Sequence, residues 1–232
     1  MTQNTTAISH VDAAITSRRS IRAFLPTPIS QAQVAEIVHL SQRAPSGTNT
    51  QPWHVYALMG DKKQALCDDV TAAFLDPAIS AQHQEEYAYY PTRWKSPFVD
   101  RRRKVGFDLY GLLGLGKEHK AGMQAQHAKN YNFFDAPVGL FFTIDRIMGQ
   151  GSWLDYGMFL QNIMVAARAR GLDTCAQAAW TQYHAIIAKH LNLPEEQMLV
   201  CGMALGYGDY SKVENTLVTD REPTEQTLTF LT

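Results

Sequence analysis

Three guanidiniums stand within five residues in the stretch SRRSIRAFLP, residues 17–26: Arg18, Arg19 and Arg22, set around Ser20. Cations this close repel one another unless water or an anion compensates them. The chain as a whole has no general attraction for anions, since its formal net charge is -1 and its pI about 6.7. A local basic cluster in a near-neutral chain calls either for solvent or for one small anionic ligand.

Two other stretches have the chemistry of a binding surface. In PSGTNTQP, residues 45–52, every residue is small, polar or proline. Ser46, Thr48, Asn49, Thr50 and Gln51 offer donors and acceptors on what reads as a loop. That loop suits a polar heterocycle or sugar, and equally an ordinary surface turn. In GLDTCAQAAW, residues 171–180, the side chains from Thr174 to Ala179 are small, so a flat ligand can approach the backbone closely.

Common catalytic patterns are absent: no HExxH, CxxC, G-x-S-x-G, or strand-borne G-x-G-x-x-G, and the eight histidines do not fall at ligand spacing. GLLGLGK, residues 111–117, nearly matches a phosphate-binding loop. Glu118 replaces the magnesium-binding Ser or Thr, and the preceding pattern is helical, so the match is rejected. A bound organic cofactor remains the natural source of a reactive atom.

The elements that must position these stretches follow from periodicity. Ile8, Val11 and Ile15 mark a first helix that runs out near the arginines, where cations favour its dipole. Ser30 and Gln33 form a capping box for a second helix through Val34, Ile37 and Val38, ending before Pro45. Trp53 to Met59 alternates as a strand, and Asp61 to Phe74 reads as a helix. Ala136 to Ile144 and Leu199 to Leu205 are continuous apolar runs, expected as buried strands. Between them, Ser152 with Asp155 is expected to cap a long helix through Tyr156, Phe159 and Ile163 to Gly171, apolar on both sides and so central or interfacial.

From Asp76 to Trp94 no period survives, while Tyr87, Tyr89, Tyr90 and Trp94 crowd together with Pro77, Pro91 and Pro97. Long irregular stretches in compact proteins are usually functional, so residues 76–104 are read as a lid. Arg101 to Lys104 open a helix through Val105, Leu109 and Leu113, as a solvated face or aimed at an acidic ligand. The tail, residues 206–232, shows little apolar surface of its own and is expected to pack on a partner subunit.

With 45% hydrophobic and 19% charged residues in 232, the chain suits one globular domain spanning 1–232. No nucleic acid partner is expected at a pI near 6.7, and no membrane partner, because no window approaches the roughly 20 apolar residues of a span. The opening MTQNTTAISH has no basic or apolar signal region. Cys67, Cys175 and Cys201 read as buried thiols in a reducing, cytoplasmic setting.

RRSIRAF at 18–24, APSGTNTQPWHVY at 44–56, GLDTCAQAAW at 171–180 and the ending GMALGYGD with Asn215 and REP at 221–223 together resemble the signature blocks of the FMN-dependent nitroreductase family. The resemblance implies an α+β fold: a mixed, mainly antiparallel sheet wrapped by helices, in an intertwined homodimer with FMN at the interface. It places Arg18, Arg19, Ser20 and Arg22 on the flavin and its phosphate, with Arg221 joining Arg18 there, and sets Arg22 near flavin N1 and O2. Pro45, Ser46, Gly47, Asn49 and Gln51 would reach the FMN held mainly by the other subunit. Backbone N–H groups around Gln177, Ala178 and Ala179 would face flavin N5 and O4.

The implied activity is ping-pong: NADH or NADPH passes hydride to flavin N5, then a nitroaromatic or quinone is reduced in two-electron steps. No metal is implied. Thr48, Tyr87, Tyr90, Trp94 and Phe107 are candidate substrate contacts, and Arg101 to Arg103 candidate partners for a carboxylated ring. Alternatives within the same resemblance are a reductive dehalogenase, with Glu86, Tyr90 and Lys95 clamping a zwitterion, and a non-catalytic flavin-binding module.

Overall fold

The computed structural model describes residues 4–232, with side chains from His10 onward. The chain runs α1 (Asn4–Ser17), α2 (Gln31–Ser41), β1 (His54–Met59), α3 (Gly60–Leu75), α4 (Pro77–Ser80), α5 (Phe98–Leu112), α6 (Lys120–Ala128), β2 (Val138–Asp145), α7 (Gln150–Arg168), β3 (Asp173–Gln177), α8 (His184–Leu191) and β4 (Gln197–Gly206). The strands form one sheet in the order β1-β2-β4-β3.

Every neighbouring pair is antiparallel, with Leu140 opposite both Ala57 and Met203 and Cys175 opposite Ala204. The sheet is thus mainly antiparallel, as expected, and among the described residues an isolated bridge between Ser20 and Thr174 is parallel. The architecture is α+β.

Both sheet faces are covered, which is why β2 and β4 read as continuous apolar runs rather than alternating ones. On one face α3, the turns at 129–135 and 178–183, and α8 enclose Tyr131, Phe133, Trp180 and Tyr183. On the other, α2 and α7 pack Ile37, Phe159 and Ile163 onto Leu140, Phe142 and Met203. Trp53 stacks flat on Phe159 at 4.7 Å between ring centroids.

The capping box of α2 is formed: Gln33 N–H donates to Ser30 Oγ at 3.2 Å, and Ser30 N–H to Gln33 Oε1 at 2.9 Å. Other expectations shift. Helix α7 begins at Gln150, with Gly149 as cap, so Ser152 lies inside the first turn and Asp155 is free for another task. Helix α5 begins at Phe98, which moves Arg101 to Lys104 into its body. GLLGLGK lies at the end of α5 and in the turn that follows, away from any strand. Residues 174–177, expected between two helices, form the edge strand β3.

The apolar stripe of α1 does not face the core: Ala14 is buried, whereas Val11 and Ile15 are about half exposed, and the side chain of Ile8 lies outside the described residues. The outward face of α7 is open too, Leu154 being 72% exposed. The tail ends in Leu228, Phe230 and Leu231, all exposed, so it carries more apolar surface than expected. Among the described residues no helix is long and apolar enough to cross a membrane.

The three cysteines are free and buried. Burial pushes the thiols of Cys67 and Cys201 up to about 12 and that of Cys175 upward. Thiolate, the reactive form, is therefore scarce at any ordinary pH. Ellman's reagent at pH 8 is expected to find no fast-reacting thiol in the folded protein and three in denaturant.

Candidate functional site

Residues 18–25 belong to no helix or strand, yet four of their backbone N–H groups are bonded to distant parts of the chain. Ile21 N–H donates to Thr174 O at 3.1 Å, Phe24 N–H to Phe134 O at 3.1 Å, and Leu25 N–H to Tyr207 O at 2.8 Å. The fourth hold is a side chain: Arg22 N–H donates to Asn215 Oδ1 at 2.7 Å. Ile21 and Phe24 are buried and serve as apolar anchors. With those two turned inward, Arg18, Arg19 and Arg22 lie on the open side.

There they line a cleft of about 780 Å³ with Ser17, Ser20, Arg168, Val105 of α5, Leu217, Val218, Thr219 and Arg221. None of the lining residues is acidic. Arg168 has its own counter-ion: it lies 3.0 Å from Asp173 Oδ1. Asp173 is almost fully buried and also accepts from Gly208 N–H at 3.2 Å and Tyr210 Oη–H at 2.9 Å. Arg18, Arg19, Arg22 and Arg221 form no ion pair with any carboxylate among the described residues.

Arg19 leans over Tyr210 at 5.8 Å, and Arg22 Nη1 donates to Ser20 O at 3.2 Å. Four guanidiniums converging without a carboxylate form a donor set for a dianion, and Arg meets phosphate through paired N–H groups. The phosphate of FMN fits this donor set.

Sequence reading missed three supports of that cleft. Arg168 carries no signal beyond its place at the end of α7. Asp173 looks like one more polar residue after a glycine turn. Asn215 stands among the signature residues without an assigned role; it is buried and its Nδ2–H₂ donates to Ala23 O at 2.8 Å and Asp209 O at 2.9 Å.

The other predicted site residues lie elsewhere on the chain. In the polar loop, Gly47 N–H donates to Asp155 Oδ2 at 3.0 Å and Gln51 N–H to Ser46 Oγ at 3.0 Å. Thr48, Asn49 and Gln51 hold positive φ of 49°, 62° and 48°. Such backbone is strained for residues with a side chain and persists where neighbouring contacts fix it. Pro45 to Gln51 do not line the arginine cleft.

On β3 and the turn after it, Gln177 points inward, donating from Nε2 to Asn130 O at 2.8 Å, while Ala176 is exposed and Ala178 and Ala179 partly so. Ala176, Gln177 and Ala178 border a second cavity of about 630 Å³ with Tyr87, Tyr89, Trp153 and Cys201.

The lid splits its aromatic residues between two places. Tyr87 reaches back to donate to Val200 O and packs edge-on against Trp153, so it belongs to the cavity beside β3. Trp94 and Phe107 line a third cavity, of about 860 Å³, between α5 and the loop before α6, with Arg102, Arg103, Tyr110 and Lys117. Tyr90 packs on Trp94, and Arg102 lies over both rings at 5.2 and 4.8 Å.

Arg101 is paired with Glu222 at 2.8 Å, so it is aimed neither at solvent alone nor at a substrate. Glu86 is held by Arg146 at 2.7 Å and His184 at 3.2 Å. It is therefore not poised with Tyr90 and Lys95 as a zwitterion clamp.

Removing the Asn215 side chain leaves Arg22 N–H unpaired and takes one of two donors from the Ala23 and Asp209 carbonyls, which keep the N–H groups of Asp209 and Lys212. Asn215→Ala is expected to lower stability by about 1–3 kcal/mol, read as a drop in melting temperature by calorimetry, with weaker FMN retention in the same samples.

The nitroreductase family model matches residues 15–207. The 4-nitrobenzoate reductase of Pseudomonas putida is 43% identical over 211 residues, 91% of each chain. The nitrobenzene nitroreductase of Ectopseudomonas oleovorans is 37% identical, over 95% of this chain and 96% of that one. Among solved structures, the FMN and NADPH-dependent nitroreductase NfnB of Sphigopyxis sp. strain HMH superposes with a TM-score of 0.92 at 37% identity, over 96% of this chain and 99% of that one. With the family model covering most of the sequence and relatives aligned nearly end to end, the chain belongs to the nitroreductase family.

Proposed function

We propose that this chain is an FMN-dependent NAD(P)H oxidoreductase that reduces nitroaromatics and also quinones. The observation that carries the reading is the acid-free cleft in which Arg18, Arg19, Arg22 and Arg221 converge without counter-ions. Bound there, FMN supplies the two-electron carrier between nicotinamide and nitro group. The remaining chemistry asks the protein to bind, orient and shield.

Arg18 and Arg221 are assigned to the phosphate, with Arg19 and Ser20 beside them. Arg22, fixed at its own N–H by Asn215 and through its guanidinium to Ser20 O, provides a preorganised cation where the ring system gains negative charge on reduction. The backbone from Ala176 to Ala179, open at Ala176 and partly so at Ala178 and Ala179, is assigned to the flat face and edge of the ring. No side-chain base is needed, because nitro-group protons can come from water.

A homodimer is part of the proposal. The polar loop from Pro45 to Gln51 lies outside the cleft in its own chain, and its strained backbone suits a second protomer's cofactor. β1 stands at the sheet edge beside an apolar groove of about 910 Å³. Leu154 on α7 and Leu228, Phe230 and Leu231 in the tail are exposed apolar side chains whose burial between two copies is favourable. The three free thiols favour a cytoplasmic setting.

The cavity lined by Trp94, Phe107 and Tyr110 is assigned to the incoming aromatic ring, with Arg102 and Arg103 toward any carboxylate it bears. On this assignment a carboxylated nitroarene is expected to show a higher kcat/KM than its neutral analogue at low salt, with the advantage shrinking as salt rises. Equal values at low salt remove the carboxylate role.

The phosphate assignment predicts that Arg18→Ala and Arg221→Ala each weaken FMN retention by about 1.5–3 kcal/mol, measured by titrating the apoproteins. The activity is tested by anaerobic visible spectra before and after NADH, NADPH and then a nitroarene. Bleaching by reductant and recovery with nitroarene is the expected result. Flavin that stays oxidised would make the protein a binding module.

A further inference from the structure

Arg221 is flanked in sequence by Asp220 and Glu222, an unfavourable setting for a residue that must hold a phosphate. Both carboxylates are turned onto α5 instead. Glu222 Oε1 lies 2.8 Å from Arg101 Nε, and Asp220 Oδ2 lies 3.1 Å from Lys104 Nζ. Lys104 meets Asp108 as well, at 2.6 Å, one turn further along the helix.

Arg101 and Lys104 are three residues apart and so share one face of α5. They take the two carboxylates that bracket Arg221. The same helix contributes Val105 to the wall of the arginine cleft, beside Leu217, Val218, Thr219 and Arg221. Arg221 itself is folded onto its own segment, donating from Nη1 to Thr219 Oγ1 and to Asp220 O, both at 2.8 Å. Where its guanidinium points is therefore set by where residues 219–222 are fastened.

We propose that Arg101 and Lys104 are positioning residues that clasp the C-terminal segment to α5, holding Arg221 toward the cleft while neutralising the carboxylates beside it. The consequence for FMN rests on the assignment of that cleft to its phosphate. Single exposed ion pairs contribute little. Here two of them act on one short segment, and their loss both frees the segment and returns two negative charges to the phosphate's surroundings. The other cations of this helix take no part, since Arg102 and Arg103 line the cavity beside Trp94.

The test is a charge exchange in the full-length protein. Lys104→Glu is expected to raise the FMN dissociation constant of the apoprotein about fivefold and to speed amide hydrogen exchange across residues 217–227. Adding Asp220→Lys rebuilds the pair with reversed sign and is expected to restore both readings to within about twofold. Adding Asp108→Lys instead restores the same net charge without the clasp, and is expected to restore neither.

The proposal is overturned if Lys104→Glu leaves exchange in 217–227 unchanged, or if the Asp108 partner rescues as well as the Asp220 partner. A parent apoprotein that takes up no FMN would refute the cofactor assignment. Hydrogen exchange would still decide the clasp.

Discussion

The site depends on how one irregular stretch is fastened. Residues 18–25 carry most of the positive charge of the cleft, and repulsion among Arg18, Arg19 and Arg22 acts to splay them. What opposes it is a set of bonds from distant parts of the chain: Thr174 on β3, Phe134 before β2, Tyr207 after β4 and Asn215 in the tail. Each bond alone contributes about 0.5–1.5 kcal/mol. Together with buried Ile21 and Phe24 they hold the backbone, so that the charges stay close without a carboxylate between them.

Asp173 shows how the same region handles a charge it must bury. A lone buried carboxylate is costly, and this one is met by Arg168, Tyr210 and the Gly208 N–H. Burial and the Asp173 carboxylate together raise the Tyr210 hydroxyl above its ordinary value, so the shift favours the protonated form that donates to Asp173. Gly208 is required by space: a Cβ there would come 2.7 Å from Asp173 Oδ2 and 3.2 Å from Ile21. The GYGD ending is thus a packing surface for the arginine stretch rather than a ligand loop.

Much of this could be read from residue types. The capping box of α2, the buried stripe of α7 and the apolar strands β2 and β4 each follow a period that one element can satisfy. The arginines, the polar loop and the small-residue segment were legible as binding chemistry, and the family resemblance gave them a common ligand. Less legible was β3, an edge strand built of Thr174, Cys175 and Ala176, too small and too short to alternate. The start of α7 misled because Ser152 resembles a cap, whereas Gly149 ends the preceding turn and Asp155 serves the loop at Gly47. Arg168, Asp173 and Asn215 gave no local signal, because their roles exist only across long sequence separations.

That separation has its own consequence. Arg22 and Asn215 are 193 residues apart, and the cleft takes guanidiniums from both Arg18 and Arg221, near opposite ends of the chain. An anion held by both ends closes a loop of nearly the whole molecule, acting as a reversible cross-link. The first helix and the last segment are then tied to each other through the ligand as well as through the core. On the proposed phosphate assignment, release of the Arg18 or the Arg221 segment and loss of the anion are coupled, so occupancy of the cleft is felt at both of these distant segments.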